Sequence, residues 1–397
     1  MIYSVRTLED KRGEVVSRQD SEMRIPCTIM RGGTSKALFF LSSDIPSDLA
    51  LRTKLILEAF GSPDSRQIDG LGGADPLTSK VAIIAPSRRE DIDVEYTFGQ
   101  VSIGEPYVDF SGNCGNISSA VGPYALEKGL ALLTEPVSRV RILNTNTGKI
   151  IISEVPVCNG RVLTEGNYHI DGVPGTGAKI LLHFLDPGGA ATGKLLPTGC
   201  AVDAIRLESG REVEVSIVDA GNPTGFVPAA EIGLRGDELP SQIDGQPQVL
   251  ETLEEIRAKI AERMGLVSSW QETFQRYRTY PKIAFVAPPA DFRTLNGDLI
   301  EGKDIDLSAR LMAMGRLHKA FALTAAIPTA AASRIPGSVV ARICRSRSDT
   351  LRIGHPSGSL EIGVSVCNKN GETVVQEIVV GRTARKLMEG VVFCPNR

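Results

Sequence analysis

No C-x-x-C pair and no H-x-x-x-H pair occurs in this chain, so the short spacings that build zinc knuckles and helical metal sites are missing. Its seven cysteines (27, 114, 158, 200, 344, 367 and 394) are scattered and odd in number, which argues against a disulfide framework. No metal is expected. An excess of one charge is lacking too: 44 basic residues stand against 47 acidic ones, for a net charge of −3, and no basic block stands out beyond Arg345-Ser346-Arg347. Nucleic acid and anionic membrane are therefore not expected as partners. No apolar run approaches the length of a membrane span, and Met1 to Met23 is charged without an apolar signal core, so the expected location is cytoplasmic.

What is present is an ordinary folded composition, 42% hydrophobic with 40 glycines and 23 prolines. At 397 residues the chain exceeds the size at which single cores stop growing, and two domains are expected. Met23-Arg24-Ile25-Pro26 reads as a natural beginning, leaving residues 1–22 as an extension. Short strand-like runs punctuated by turns, with only four or five good helices, predict an α+β fold. The spacing predicts helices at 47–60 (stopped by Gly61), 116–128, 252–264, 306–321 and 329–345. In the third, Thr252 and Glu255 have capping-box spacing. Runs 180–185, 213–217 and 283–286 read as strands, and Asp186 to Gly193 as the linker between domains. Gly188, Gly193 and Lys194 satisfy G-x-x-x-x-G-K, but Leu195 replaces the magnesium-binding hydroxyl and Pro197 blocks the following helix, so nucleotide binding is not expected.

The stretch Ser111-Gly112-Asn113-Cys114-Gly115-Asn116 carries the chemistry. Ile117, Ala120, Val121, Tyr124 and Ala125 follow at the spacing of one buried helical face, with Pro123 inside it, which puts Cys114 at the helix start. Free backbone N–H groups and the helix dipole there favour a thiolate and can hold a carboxylate. Most free cysteines only pack, but a packing cysteine needs no loop stripped of side chains around it. Three further glycine-rich polar loops share this character: Met30–Lys36, Asp69–Lys80 and Gly354–Gly358. Their amides, hydroxyls and cations suit a small polycarboxylic acid.

These segments, with Arg24-Ile25-Pro26, Gln67-Ile68-Asp69-Gly70 and Phe98-Gly99-Gln100-Val101-Ser102, resemble the methylaconitate isomerase family known as PrpF, which also contains methylitaconate Δ-isomerases, aconitate Δ-isomerases and 4-oxalomesaconate tautomerases. Asp75 to Lys80 is most similar to the methylitaconate Δ-isomerases. Gly112–Asn116 and Ala220-Gly221-Asn222-Pro223 are more distantly similar to diaminopimelate epimerase. The resemblance implies two like domains, 23–185 and 186–382, each a curved, mostly antiparallel sheet around a central helix, with the active site in the cleft and a last strand, 383–397, returning to the first domain. It implies a cofactor-independent isomerase that shifts a double bond in an unsaturated di- or tricarboxylate, with Lys80 and Cys114 catalytic. Arg31, Gly33, Thr34, Ser35, Lys36, Ser79, Asn113, Gly115, Asn116, Thr329, His355, Ser357 and Gly358 are the implied substrate-binding residues, and a homodimer is a possible assembly. Epimerases of that type use two cysteines, whereas the second-domain counterpart, Ala322 to Ala331, has none. One thiol and one amine suit an allylic proton shift instead. The rival readings are an accessory protein for an iron–sulfur dehydratase and a thiol hydrolase pairing Cys114 with His355.

Overall fold

The computed structural model describes residues 22–276, 280–313 and 315–395; the N-terminal extension lies outside them, apart from Glu22. The chain opens with an antiparallel hairpin, β1 (Glu22–Gly32) and β2 (Ser35–Leu41), closed by Gly33 and Thr34. Helix α1 (Leu49–Phe60) follows, capped by the Asp48 carboxylate on the Leu51 N–H and ended by Gly61 in the left-handed region at φ 70°. Strand β3 (Lys80–Pro86) runs parallel to β2 and antiparallel to β4 (Val94–Val101), beside the short β5 (Val108–Asp109). Then come α2 (Gly115–Glu127), β6 (Val137–Asn144) parallel to β4, β7 (Lys149–Cys158) and β8 (Ile180–Leu185).

The same order then repeats. The hairpin β9 (Glu212–Ala220) and β10 (Asn222–Pro228) precedes α3 (Pro247–Arg263). Strand β11 (Lys282–Ala287) is parallel to β10 and antiparallel to β12 (Leu307–Ala313). Helices α4 (Leu323–Ala332) and α5 (Val339–Ile343) lead to β13 (Thr350–His355) parallel to β12, then to β14 (Gly358–Lys369) and β15 (Glu372–Arg382). The last strand, β16 (Ala384–Pro395), crosses back to pair antiparallel with β1 along its whole length.

Period two explains the layering. In β2, Leu38 and Phe40 pack with Leu55, Ile56 and Phe60 of α1, while Ala37 and Phe39 join the cluster around α2. Strand β3 divides the same way, Val81 and Ile83 outward, Ala82 and Ile84 inward. Strand β11 repeats the division, with Ile283 and Phe285 against Leu253, Ile256 and Ile260 of α3 and with Ala284 and Val286 on the α4 side. Each sheet therefore lies between an outer and a central helix, which is why its strands are apolar on both faces. The central helices match their position: residues 115–126 of α2 and every residue of α4 are buried.

Three predicted helices change. Residues 306–321 hold strand β12 instead, because Leu307 and Leu311 are four apart and share a face in a strand as well as in a helix, and both neighbouring strands pair with it. The expected 329–345 helix begins earlier and breaks between α4 and α5, where Gly337 sits at φ 81° after Pro336. Helix α3 starts five residues before 252, with Pro247 in its first turn, so Thr252 is interior and donates to the Gln248 carbonyl rather than capping.

Candidate active site

The two central helices start against each other. A Cβ on Gly115 would lie 2.8 Å from the Leu323 side chain, so glycine is what permits the approach. A cleft with a cavity volume of about 100 Å³ lies at these helix starts and is lined from both repeats by Lys80, Gln100, Asp109, Asn113, Cys114, Asn222, Arg257, Lys282 and His318 among others.

Cys114 is the N-cap of α2 and is 9% exposed. Its N–H donates to Asn113 Oδ1 at 2.6 Å, and its carbonyl accepts from the Ser118 N–H and hydroxyl. Asn113 is in turn tied to Asn222 of the other repeat, by its own N–H at 3.5 Å and by the Asn222 amide at 3.4 Å. The cysteine loop is thus clamped from across the cleft.

Lys80 begins β3 and shares the inward face with Ala82 and Ile84, which aims it at α2. Only 7% exposed, it donates to Gln100 Oε1 at 2.5 Å and lies 5.3 Å from the Phe98 ring centroid. The Gln100 amide is fixed by the carbonyls of Pro76 and Ser79. Burial pushes the Lys80 ammonium below its ordinary range, while Cys114 and Asp75 pull part of the way back. Gln100 pairs with Lys80 on one side and with Asp109 on the other, and the Asp109 carboxylate accepts from the Ser111 N–H and hydroxyl at the entrance to the cysteine loop.

His318 is neutral in the cleft: burial brings it down to about 4, and its Nδ1 accepts the Ala320 N–H at 3.0 Å. Lys282 comes down to about 8, through burial first and then the field of Lys80, with Cys114 and Asp109 opposing. Arg257 is engaged by Glu254 and by the Tyr280 carbonyl.

Of the residues expected from the sequence, Ser35, Lys80, Asn113, Cys114, Gly115 and Asn116 line this cleft. Thr34 and His355 line a second pocket with Tyr168, Asp171 and Arg382. Asn116 bridges the two, its amide donating to Thr34 Oγ1 and its Oδ1 accepting from Arg382 Nε. The others line neither. Arg31 is spent on the carbonyls of Gly33 and Thr383. Gly33, at φ 50°, makes the hairpin turn beside Asn116, and Lys36 continues β2. The Ser79 hydroxyl donates to Gln67, Thr329 to Ala325 inside α4, and Ser357 to Lys319, while Gly358 abuts Asp171. Gln100, Asp109, Arg257, Lys282 and His318 were not expected. For Lys282 a signal existed: Lys282-Ile-Ala-Phe-Val-Ala-Pro288 repeats the pattern of Lys80-Val-Ala-Ile-Ile-Ala-Pro86.

A duplicated α+β fold that brings a thiol at a helix start and a buried amine into one cleft has the groups with which an enzyme can move protons. The chain belongs to the PrpF family, whose sequence model, described as PrpF protein, matches residues 22–395. It is 49% identical over 375 residues to 3-methylitaconate isomerase of Eubacterium barkeri, covering 94% of this chain and 97% of that one. With 2-methyl-aconitate isomerase of Shewanella oneidensis it shares 39% identity over 389 residues, or 94% and 98% of the two chains. The crystal structure of a methylitaconate Δ-isomerase matches with a TM-score of 0.78 and 48% identity over 95% of this chain and 97% of that one. A hydroxyproline epimerase from Agrobacterium vitis shares the fold alone, at 12% identity and a TM-score of 0.56, over 96% of this chain and 94% of that one. The protein is an isomerase of this family. At the N-cap of α4, the position corresponding to Cys114, stands Ala322.

Proposed function

We propose that the cleft moves a double bond in a small unsaturated di- or tricarboxylate, methylitaconate by preference and 2-methylaconitate next, using Lys80 and Cys114 as its two proton carriers. The observation that carries this is the meeting of a buried amine and a thiol at a helix N-cap position in one cleft. One group removes an allylic proton made acidic by conjugation with a carboxyl group, leaving a delocalised dienolate; the other returns a proton at the far carbon. The lowered ammonium of Lys80 makes its neutral form accessible, and the N–H groups at the start of α2 offset the enolate charge as it develops. The chemistry as drawn needs no cofactor. Similarity to the methylitaconate and methylaconitate isomerases supports the substrate class.

The same reading divides the chain at the Asp186–Gly193 turn into two units with the cleft between them, and places a possible homodimer in the cytoplasm. Among the described residues, no helix is long and apolar enough to cross a membrane. Proton NMR in deuterated buffer with methylitaconate, methylaconitate, trans-aconitate and oxalomesaconate tests the function. Deuterium should enter methylitaconate at the allylic terminus. Lys80→Ala and Cys114→Ala should each slow isomerisation by about 10²- to 10⁴-fold while carboxylate binding persists. Absence of exchange into all four acids would overturn the proposal and favour the accessory-protein reading.

A further inference from the structure

Lys80 and Lys282 occupy the same place in the two repeats. Each is the first residue of the strand lying parallel to the second strand of its hairpin, Lys80 opposite Ala37 and Lys282 opposite Thr224. Each shares its face with the residues that pack toward the central helix. The repeat explains why two amines meet in one cleft, although only one of the two central helices starts with a thiol.

Their surroundings differ. Lys80 is held by Gln100, whereas the ammonium of Lys282 has no side-chain hydrogen bond or ion pair among the described residues. The groups acting on it are Lys80 from β3, Cys114 at the start of α2, Asp109 of β5, Arg257 of α3 and His318 ahead of α4. Of these, Arg257 is occupied by Glu254, and His318 is neutral. Lys282 is therefore the cleft cation left to meet a ligand.

Building on the proposed function, we infer that Lys282 anchors a substrate carboxylate, and that the bound carboxylate keeps Lys282 charged so that Lys80 is the amine that gives up its proton. Two ammonium groups in one buried cleft repel, and the empty cleft relieves this by losing a proton from either. A carboxylate against Lys282 removes that choice. It stabilises the charge on Lys282, and this charge offsets the negative field of the substrate at Lys80, which would otherwise hold the Lys80 proton in place.

The test combines kinetics with binding. Lys282→Gln should raise KM at least tenfold, with a smaller change in kcat, and should weaken calorimetric binding of methylsuccinate, a saturated dicarboxylate, by the same factor. In the unmodified protein kcat/KM should decline above pH 8 as free Lys282 loses its proton. Lys282→Arg, which stays charged, should keep the low KM and lose that decline. An unchanged KM and unchanged methylsuccinate affinity in Lys282→Gln would overturn the inference, as would an unaltered basic limb in Lys282→Arg. Methylsuccinate binding needs no turnover, so a failure here is separable from a failure of the proposed reaction, which shows as absent deuterium exchange in the unmodified protein.

Discussion

Single residues decide the chemistry through what holds them. Gln100 illustrates this, since its carbonyl accepts from Lys80 while two backbone carbonyls lock its amide. Gln100→Glu would place a carboxylate beside the ammonium and favour its charged form. If Lys80 is the base, the acid limb of the pH profile for isomerisation should move up by about 1 to 3 units, and the rate at pH 7 should fall in step. A profile that stays in place would remove Lys80 from that role. At this scale the sequence was partly legible. Cys114 stood out because glycines flank it ahead of an amphipathic run, but Lys80 was identified only by family resemblance, since a lysine heading an apolar strand looks like any solvated lysine. Lys282 is marked in the sequence only by the repeated Lys-x-Ala-x-x-Ala-Pro pattern, and its place beside Lys80, Asp109 and His318 is set by distant segments.

Among the elements, helix ends were better marked than element type. Helix α1 shows both ends in its sequence, with Asp48 at the start and Gly61 at the stop. Asp48→Ala should cost about 1 kcal/mol, read as a lower urea midpoint with an unchanged slope, because one N–H of the first turn loses its acceptor. Isomerase activity should be retained at low urea, since α1 packs on the face of its sheet opposite α2. Strand β12 shows the opposite case. A run apolar on both faces carries no period of its own, so the choice between helix and strand passed to β11 and β13, which pair with it.

For the whole molecule, two histidines couple folding to pH. Burial brings His355 down to about 3, with the fields of Arg310 and Arg382 helping, and His318 down to about 4, while an unfolded chain holds both near 6.5. Ser357 and Ala320 donate backbone N–H groups to their Nδ1 atoms, which requires those nitrogens to be unprotonated. As pH falls below 6.5 the unfolded chain takes up protons that the folded one refuses, so this contribution is complete above 6.5 and is lost progressively toward 4 and 3. The urea midpoint should be lower at pH 5 than at pH 7, and His355→Gln should shrink that difference. Equal midpoints at the two values would show that the rings are not held neutral.

The cysteine at a helix start and the α+β class were determined by the sequence itself, because turn residues, apolar spacing and glycine content act over a few neighbouring positions, whereas the two like halves were implied only by the family resemblance. Tertiary structure alone decided which cations share the cleft, why β12 is extended, and how Asn222 reaches across to brace the Cys114 loop. Burial, fields and strand pairing are set by residues well separated in the chain, from Ile283 and Met312 in β11 and β12 to Asn113 and Asn222 across the cleft, and no local pattern records them.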